Sequence, residues 1–264
     1  MVAEPSKVHA KQFFEQHGYD VEEIPVGAKK SADLRVRRGP EEYLVESKAR
    51  SESETWLALR ESVRDGGGAH TTRAVESWNA ISAMISNAVD QLDATPAGSS
   101  CWRLLWIVAD HLDDHFVLEC VGKRLCGWAT LTTKGAGTFE IGTRECFYYC
   151  HNDFRRFPSL DGAVLANGST LRIYVNSFSP RRETLRSSSL YLTLSNAGAV
   201  CDPEVLERDG EVLLLGPDFD PTACGNDPRR TYLKNKYDLW TCPMTESQFV
   251  GLVTVANGSG KADG

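Results

Sequence analysis

The chain has 264 residues, 41% of them hydrophobic and 25% charged, with a formal charge of -7. That length can bury a substantial core and the composition excludes a disordered chain, while the acidic balance argues against broad electrostatic capture of nucleic acid, which calls for a basic excess. The opening MVAEPSKVHAKQFFEQHG has no apolar core of signal-peptide length and no long apolar run follows, so the expectation is a cytoplasmic protein with no membrane partner.

Pro5 and Ser6 open a first helix with Val8, Phe13 and Phe14 on one side, and Gly18 ends it. Tyr19 to Ile24 reads as a short strand closed by Pro25, Ala32 to Val36 alternates as a second, and Glu42 to Ala49 makes a third. Gly39 and Pro40 supply a hairpin turn between the last two. The polar stretch 50–69, with a short helix around Trp56, Leu59 and Val63 and the run Gly66, Gly67, Gly68, is expected to be a mobile flap. Ala74, Trp78, Ile81, Ile85, Ala88 and Leu92 recur at helical steps, with Thr71 or Thr72 as cap. Leu104 to Ala109 is a continuous apolar run, the pattern of a buried strand.

The order so far is helix, three strands, helix, strand, in an α/β (α+β) chain. Gly135, Ala136 and Gly137 mark a loop, and the expected division is a first unit over 1–125 and a β-rich region over 126–264. Within the second region, Phe139 to Cys150 reads as extended, and Val164 to Ala166 and Leu171 to Val175 flank the hairpin signal Asn167, Gly168. Glu211 to Leu215 reads as a strand, and Asp227 and Pro228 open a helix running towards Leu239.

Chemistry concentrates on the third strand. Residues two apart on a strand share a face, so Glu46 and Lys48 project together. Asp33, at the start of the preceding hairpin strand, can be folded back beside Glu46. Two adjacent carboxylates repel unless a cation lies between them, and magnesium, with manganese as a substitute, suits such a pair. An ion there activates water, an ammonium such as that of Lys48 offsets charge developing on a phosphate, and the Ser47 carbonyl is a further candidate ligand. Glu15 on the first helix is a candidate to reach the same site, against the plainer reading of an exposed helical glutamate.

The run KKSADLRVRRGPEEYLVESKAR resembles the active-site hairpin of the PD-(D/E)xK nuclease superfamily, which includes many restriction endonucleases and archaeal-type Holliday junction resolvases. Asp33 stands where the motif has its aspartate, Glu46 its second acid and Lys48 its lysine, while Ala32 replaces the proline often found before the aspartate. The resemblance covers about the first 110 residues. It implies a restriction-endonuclease-like αβββαβ core and a magnesium-dependent endonuclease acting on DNA. The alternative is a nuclease-fold subunit that no longer cuts and acts through protein contacts in a defence or recombination assembly; a protein partner or a homo-oligomer is open in either case. RNA as substrate is also open.

Other candidates have plainer readings. Asn87 and Gln91, one helical turn apart, are expected to be surface polar residues, although related nucleases sometimes place a glutamine near the lysine. Asp110, His111, Asp113, Asp114 and His115 are expected to form a polar loop rather than a metal site. Cys146, Cys150 and His151 are expected on a strand as thiols without metal, like the remaining cysteines. Lys29, Lys30, Arg35, Arg37 and Arg38 form a basic strip that suits phosphate or solvent equally. Arg181, Arg182 and Arg186, with Arg229, Arg230, Lys234 and Lys236, are candidates for backbone contacts to nucleic acid.

Overall fold

The structure is a computed structural model that describes residues 4–25, 27, 30–51, 78–110, 114–135, 137, 140–221 and 227–243. The first elements are α1 (Pro5–Gln16), β1 (Asp20–Glu23), β2 (Leu34–Arg38), β3 (Glu41–Ser51), α2 (Trp78–Ala94) and β4 (Trp102–Asp110), in the order the sequence predicts. α1 begins on a proline, whose missing N–H costs nothing in a first turn, and buries Ser6, Ala10 and Phe14 at steps of one helical turn. Val8, expected on that inner side, is on the outer one. The expected flap over 50–69 and the caps Thr71 and Thr72 lie outside the described residues, apart from Arg50 and Ser51 at the end of β3.

Of the polar loop expected after β4, His111 and Asp113 lie outside the described residues, Asp110 ends β4, and Asp114 and His115 open a helix. α3 (Asp114–Cys126) has an acid in its first turn and Lys123 and Arg124 in its last, which complements the helix dipole, and it buries Val117, Leu118, Val121 and Leu125 along one face. The chain continues through β5 (Ala129–Gly135), β6 (Ile141–Phe147), α4 (Asp153–Arg156), β7 (Gly162–Ala166) and β8 (Leu171–Val175). Then come α5 (Arg182–Arg186), α6 (Ser189–Asn196), β9 (Val200–Cys201), α7 (Pro203–Arg208), β10 (Leu213–Leu214), α8 (Pro228–Tyr237) and β11 (Leu239–Pro243). Asp227 caps α8 by accepting from the Arg230 N–H, as its place before Pro228 suggests, but the helix stops at Tyr237 and Leu239 opens a strand.

Two mixed sheets organise these α+β elements. The larger has seven strands in the order β1-β2-β3-β4-β7-β8-β9, and the smaller has four in the order β10-β6-β5-β11. β3 runs parallel to β4 and β4 parallel to β7, so residues 162–201 extend the sheet that residues 20–110 begin, and residue 125 does not divide it. β7 and β8 form the hairpin signalled by Asn167, whose side-chain oxygen accepts from the N–H groups of Ser169 and Thr170.

Strand alternation sends the two faces of the large sheet into different cores. Leu34, Val36, Tyr43, Val45, Leu104 and Trp106 pack with Ala10 and Phe14 of α1 and with Leu185 and Leu190. Leu44, Leu105 and Ile107 pack instead with Ile81, Ile85 and Leu92 of α2, and the same core includes Leu125, Leu131 and Cys146. Cys101, Cys120, Cys126, Cys146 and Cys201 are buried thiols without disulfides, and burial pushes the Cys146 thiol well above its ordinary range. Cys146 lies on β6 as expected, and Cys150 is exposed beyond it. Among the described residues no helix is long and apolar enough to cross a membrane.

One turn holds the small sheet against α3. Gly127 has φ 56° and its carbonyl accepts from the Cys150 N–H at 2.8 Å, while a Cβ there would stand 2.6 Å from the Cys150 carbonyl oxygen and 2.8 Å from the Asn152 Cβ. Gly127→Ala is therefore expected to cost about 2–4 kcal/mol through combined backbone strain and overlap. Gly137→Ala, at φ 77° with nothing within 4 Å of the new carbon, is expected to cost only about 1 kcal/mol. Urea-unfolding midpoints of the two variants beside the parent check the difference.

Candidate active site

β3 is longer than its hairpin partner. The β2 ladder begins at the pair Leu34 and Val45, so beyond Val45 the strand runs on with β4 at its other side. Asp33 stands where the ladder stops. Its N–H donates to the Val45 carbonyl at 3.1 Å and its carbonyl accepts from the Ile24 N–H at 2.9 Å, which fixes the backbone just outside β2. Its side chain then takes over the work of the missing strand, because Oδ2 accepts from the Ser47 N–H at 2.8 Å and from the Ser47 hydroxyl at 2.7 Å. A strand residue directs its N–H and C=O to the same side, so the Ser47 carbonyl opens toward the edge that Asp33 occupies.

Glu46 projects from the face of β3 that α2 covers, next to Leu44, and only 1% of its side chain is exposed. Its Oε1 accepts from Lys48 Nζ at 2.5 Å and also from the Gln91 side-chain amide on α2. Lys48 is 25% exposed, so its ammonium joins the buried carboxylate to the surface. Glu46 Oε2 is buried and has no hydrogen-bond partner among the described residues.

That unpaired oxygen sets Glu46 apart from two other buried carboxylates. Asp153 accepts from Ser82 on both oxygens and from Arg124 on one. Asp161 accepts from Ser179 and Arg181 on Oδ1, and from the Arg103 N–H and Arg181 on Oδ2. Both groups are built as structural crosslinks with every oxygen satisfied, as buried charge normally requires. Among the described residues Glu46 keeps an oxygen without a donor, and an unpaired buried carboxylate oxygen is an energetic cost that a bound cation can relieve.

The same environment shifts its titration. Burial is the largest cause and raises the Glu46 carboxyl to about 7; the hydrogen bonds from Lys48 and Gln91 pull it down, while the negative charge of Asp33 pushes it up. The structure thus brings Asp33, Glu46, Ser47 and Lys48 together at one stretch of β3. Glu15 is not brought there. It is exposed on α1, which packs on the opposite face of the sheet through Ala10 and Phe14. Gln91, expected at the surface, is drawn in beside Glu46, one residue before the core residue Leu92, while Asn87 stays exposed. Asn87 likewise precedes a core residue, Ala88, so no local sequence signal separates the two.

The basic residues near the site are largely compensated. Arg35 pairs with Glu42 at 2.7 Å and Arg37 with Glu22 and Glu42 at 3.3 Å, while the Arg38 guanidinium lies 5.3 Å from the Tyr19 ring centre. Lys29 lies outside the described residues. Farther along the chain, Arg181 is bound to Asp161, Arg182 to Glu204, and Arg186 to Asp202 and Glu204. Among the described residues no group of three or more His, Cys, Asp and Glu side chains is placed to hold a metal, so any cation here rests on two carboxylates with carbonyl and water oxygens. No family model matches the chain, and no curated protein or solved structure matches it either.

The raised Glu46 carboxyl gives a signed pH dependence. The folded state binds this proton more tightly than the unfolded state, so its stabilising contribution is complete below about 4.5 and is lost as pH rises to about 7. Glu46→Gln removes the titration while keeping the shape. Relative to the parent, the variant should gain about 1–3 kcal/mol between pH 4.5 and pH 8 without metal. Urea denaturation at both pH values measures this, and a constant difference would contradict the assigned environment.

Proposed function

We propose that the chain is a metal-dependent endonuclease of PD-(D/E)xK type that hydrolyses phosphodiester bonds in DNA, with magnesium as its ion and manganese as a substitute. The observation that carries this reading is the buried, unpaired Oε2 of Glu46 next to Asp33 and Lys48. The donor set suits a hard divalent ion, since two carboxylates and the Ser47 carbonyl supply oxygens and leave room for water. When bound, such an ion polarises a phosphoryl oxygen and lowers the pKa of coordinated water.

The chain's own residues have separable tasks. Asp33 and Glu46 provide the charge that holds the ion, and Asp33 also fixes the end of β3 through Ser47. Gln91 holds the Glu46 carboxyl in one orientation against α2. Lys48 neutralises Glu46 in the ion-free protein and, through its partly exposed stem, is positioned to offset negative charge developing on a phosphate. Its exchange of partners couples ion binding to exposure of the ammonium.

The test uses purified protein with supercoiled plasmid and magnesium, with chelator as control. Nicking should require the ion. Asp33→Asn and Glu46→Gln, which keep hydrogen-bonding shape, should lose both calorimetric magnesium binding and cleavage. Lys48→Ala should retain the ion but cut at least about 100-fold more slowly. If the parent nicks nothing and binds no magnesium, the site is not a nuclease centre, and a subunit acting through protein contacts becomes the better account.

A further inference from the structure

The corner where α2 ends touches both halves of the candidate site. Thr95 stands before Pro96, whose ring disfavours helical geometry in the residue ahead of it, and the helix accordingly stops at Ala94. The Thr95 side chain turns back along the helix. Its hydroxyl donates to the Gln91 carbonyl at 2.8 Å, one of the last carbonyls of α2, which have no N–H partner within the helix. The same oxygen accepts from the Ala32 N–H at 2.7 Å, a contact between residues 63 apart in sequence. Ala32 and Thr95 are both buried, so this N–H needs an acceptor from within the protein, and the Thr95 oxygen supplies it. Arg35 adds a second contact at the corner, donating to the Pro96 carbonyl at 2.7 Å.

The two residues that Thr95 joins are the supports of the two carboxylates. Gln91, held through its carbonyl, presents its side-chain amide to Glu46. Ala32, held through its N–H, is the residue before Asp33, which lies just outside the β2 ladder. The bonds from Asp33 to Val45 and Ser47 tie this stretch to β3, and the bond from Ala32 to Thr95 ties it to α2. We infer that Thr95 is a positioning residue of the site: through one hydroxyl it holds Asp33 at a fixed distance from Glu46, and so sets the separation of the two carboxylates on which affinity for the ion depends. A hydroxyl is needed because a single group must both accept and donate, whereas valine, of the same shape, does neither. Magnesium tolerates little departure from its coordination geometry, so a ligand pair drawn from two separate elements has to be held in place by their contacts. This inference rests on the nuclease reading and deepens it, since it names what fixes the ligand pair.

Amide hydrogen exchange followed by NMR in chelator reads the clamp without ion or substrate, and magnesium calorimetry reads its consequence. In the parent the Ala32 amide should be protected although it lies outside every strand. Thr95→Val should speed exchange at Ala32 and Ser47 about tenfold relative to Val164 and Ile173 on β7 and β8, and should weaken magnesium binding about tenfold. Thr95→Ser, which keeps the hydroxyl, should restore both. Nicking by Thr95→Val at saturating magnesium should stay within about threefold of the parent, because the ligands and Lys48 are unchanged and the loss lies in binding the ion. Exchange that accelerates equally at all four amides overturns the inference, since Thr95 would then serve stability alone. So does an unprotected Ala32 amide in the parent, a measurement that remains if Thr95→Val fails to fold. In a parent that binds magnesium, equal affinity in Thr95→Val also overturns it and leaves the nuclease reading in place. Local loosening at Ala32 and Ser47 in a protein that binds no magnesium and never cuts supports Thr95 as the clamp of the pair and removes the nuclease reading alone.

Discussion

On one side β3 pairs with β4 from Tyr43 to Ser51, and on the other it pairs with β2 only from Glu41 to Val45. The unequal lengths of the two ladders create a strand edge whose backbone still needs acceptors, in the middle of a sheet with both faces covered. Asp33 meets that need for Ser47, and in doing so brings a carboxylate alongside Glu46, which strand alternation has turned into the α2 core. Structural satisfaction and chemical potential therefore share one side chain. Removing the Asp33 acceptor would leave a buried N–H unmet as well as remove a negative charge, so variants that keep its shape separate the two effects.

Buried acids elsewhere show what the fold does when only stability is at stake. Asp153 ties α2 to α3 through Ser82 and Arg124, and Asp161 ties β4 to the loop before α5 through Arg103 and Arg181. Each places a guanidinium against the carboxylate, the geometry best suited to a fixed buried pair. Glu46 has an ammonium instead, on a flexible stem that reaches the surface. A lysine can leave its partner with less loss of directed bonding than an arginine fork, and the charge at β3 is consequently the one buried acid of these three that is built to change partners.

Much of this was legible in the sequence because it depends on short-range pattern. Glu46 and Lys48 share a face by strand period alone, Gly39 and Pro40 announce their hairpin, and Ile81, Ile85 and Leu92 mark a helix by their spacing. What was not legible depends on contacts distant in sequence. Glu15 has the composition of a site residue but sits across the sheet, a matter of which face α1 covers and not of local pattern. Gln91 and Asn87 are indistinguishable until Glu46 is in place, 45 residues from Gln91. α3 was hidden by Asp114 and His115 at its start, which suggest a loop, although the acid in its first turn is what the helix dipole favours. The continuation of the sheet into β7–β9 had no local signal at all.

That continuation shapes how the protein must be made. Ser189 donates through its N–H and hydroxyl to Glu41, and its hydroxyl also meets the Tyr19 phenol, closing a span of 170 residues. Leu185, Leu190, Tyr191 and Leu194 complete the core that Ala10 and Phe14 begin. During synthesis from the N-terminus, at roughly 5–20 residues per second, α1 and the first strands emerge many seconds before the residues that cover them. For that interval the nascent chain displays Trp106 and Leu104 on a sheet still lacking β7. Its fate on the ribosome then depends on holding an incomplete apolar surface in solution until α6 arrives.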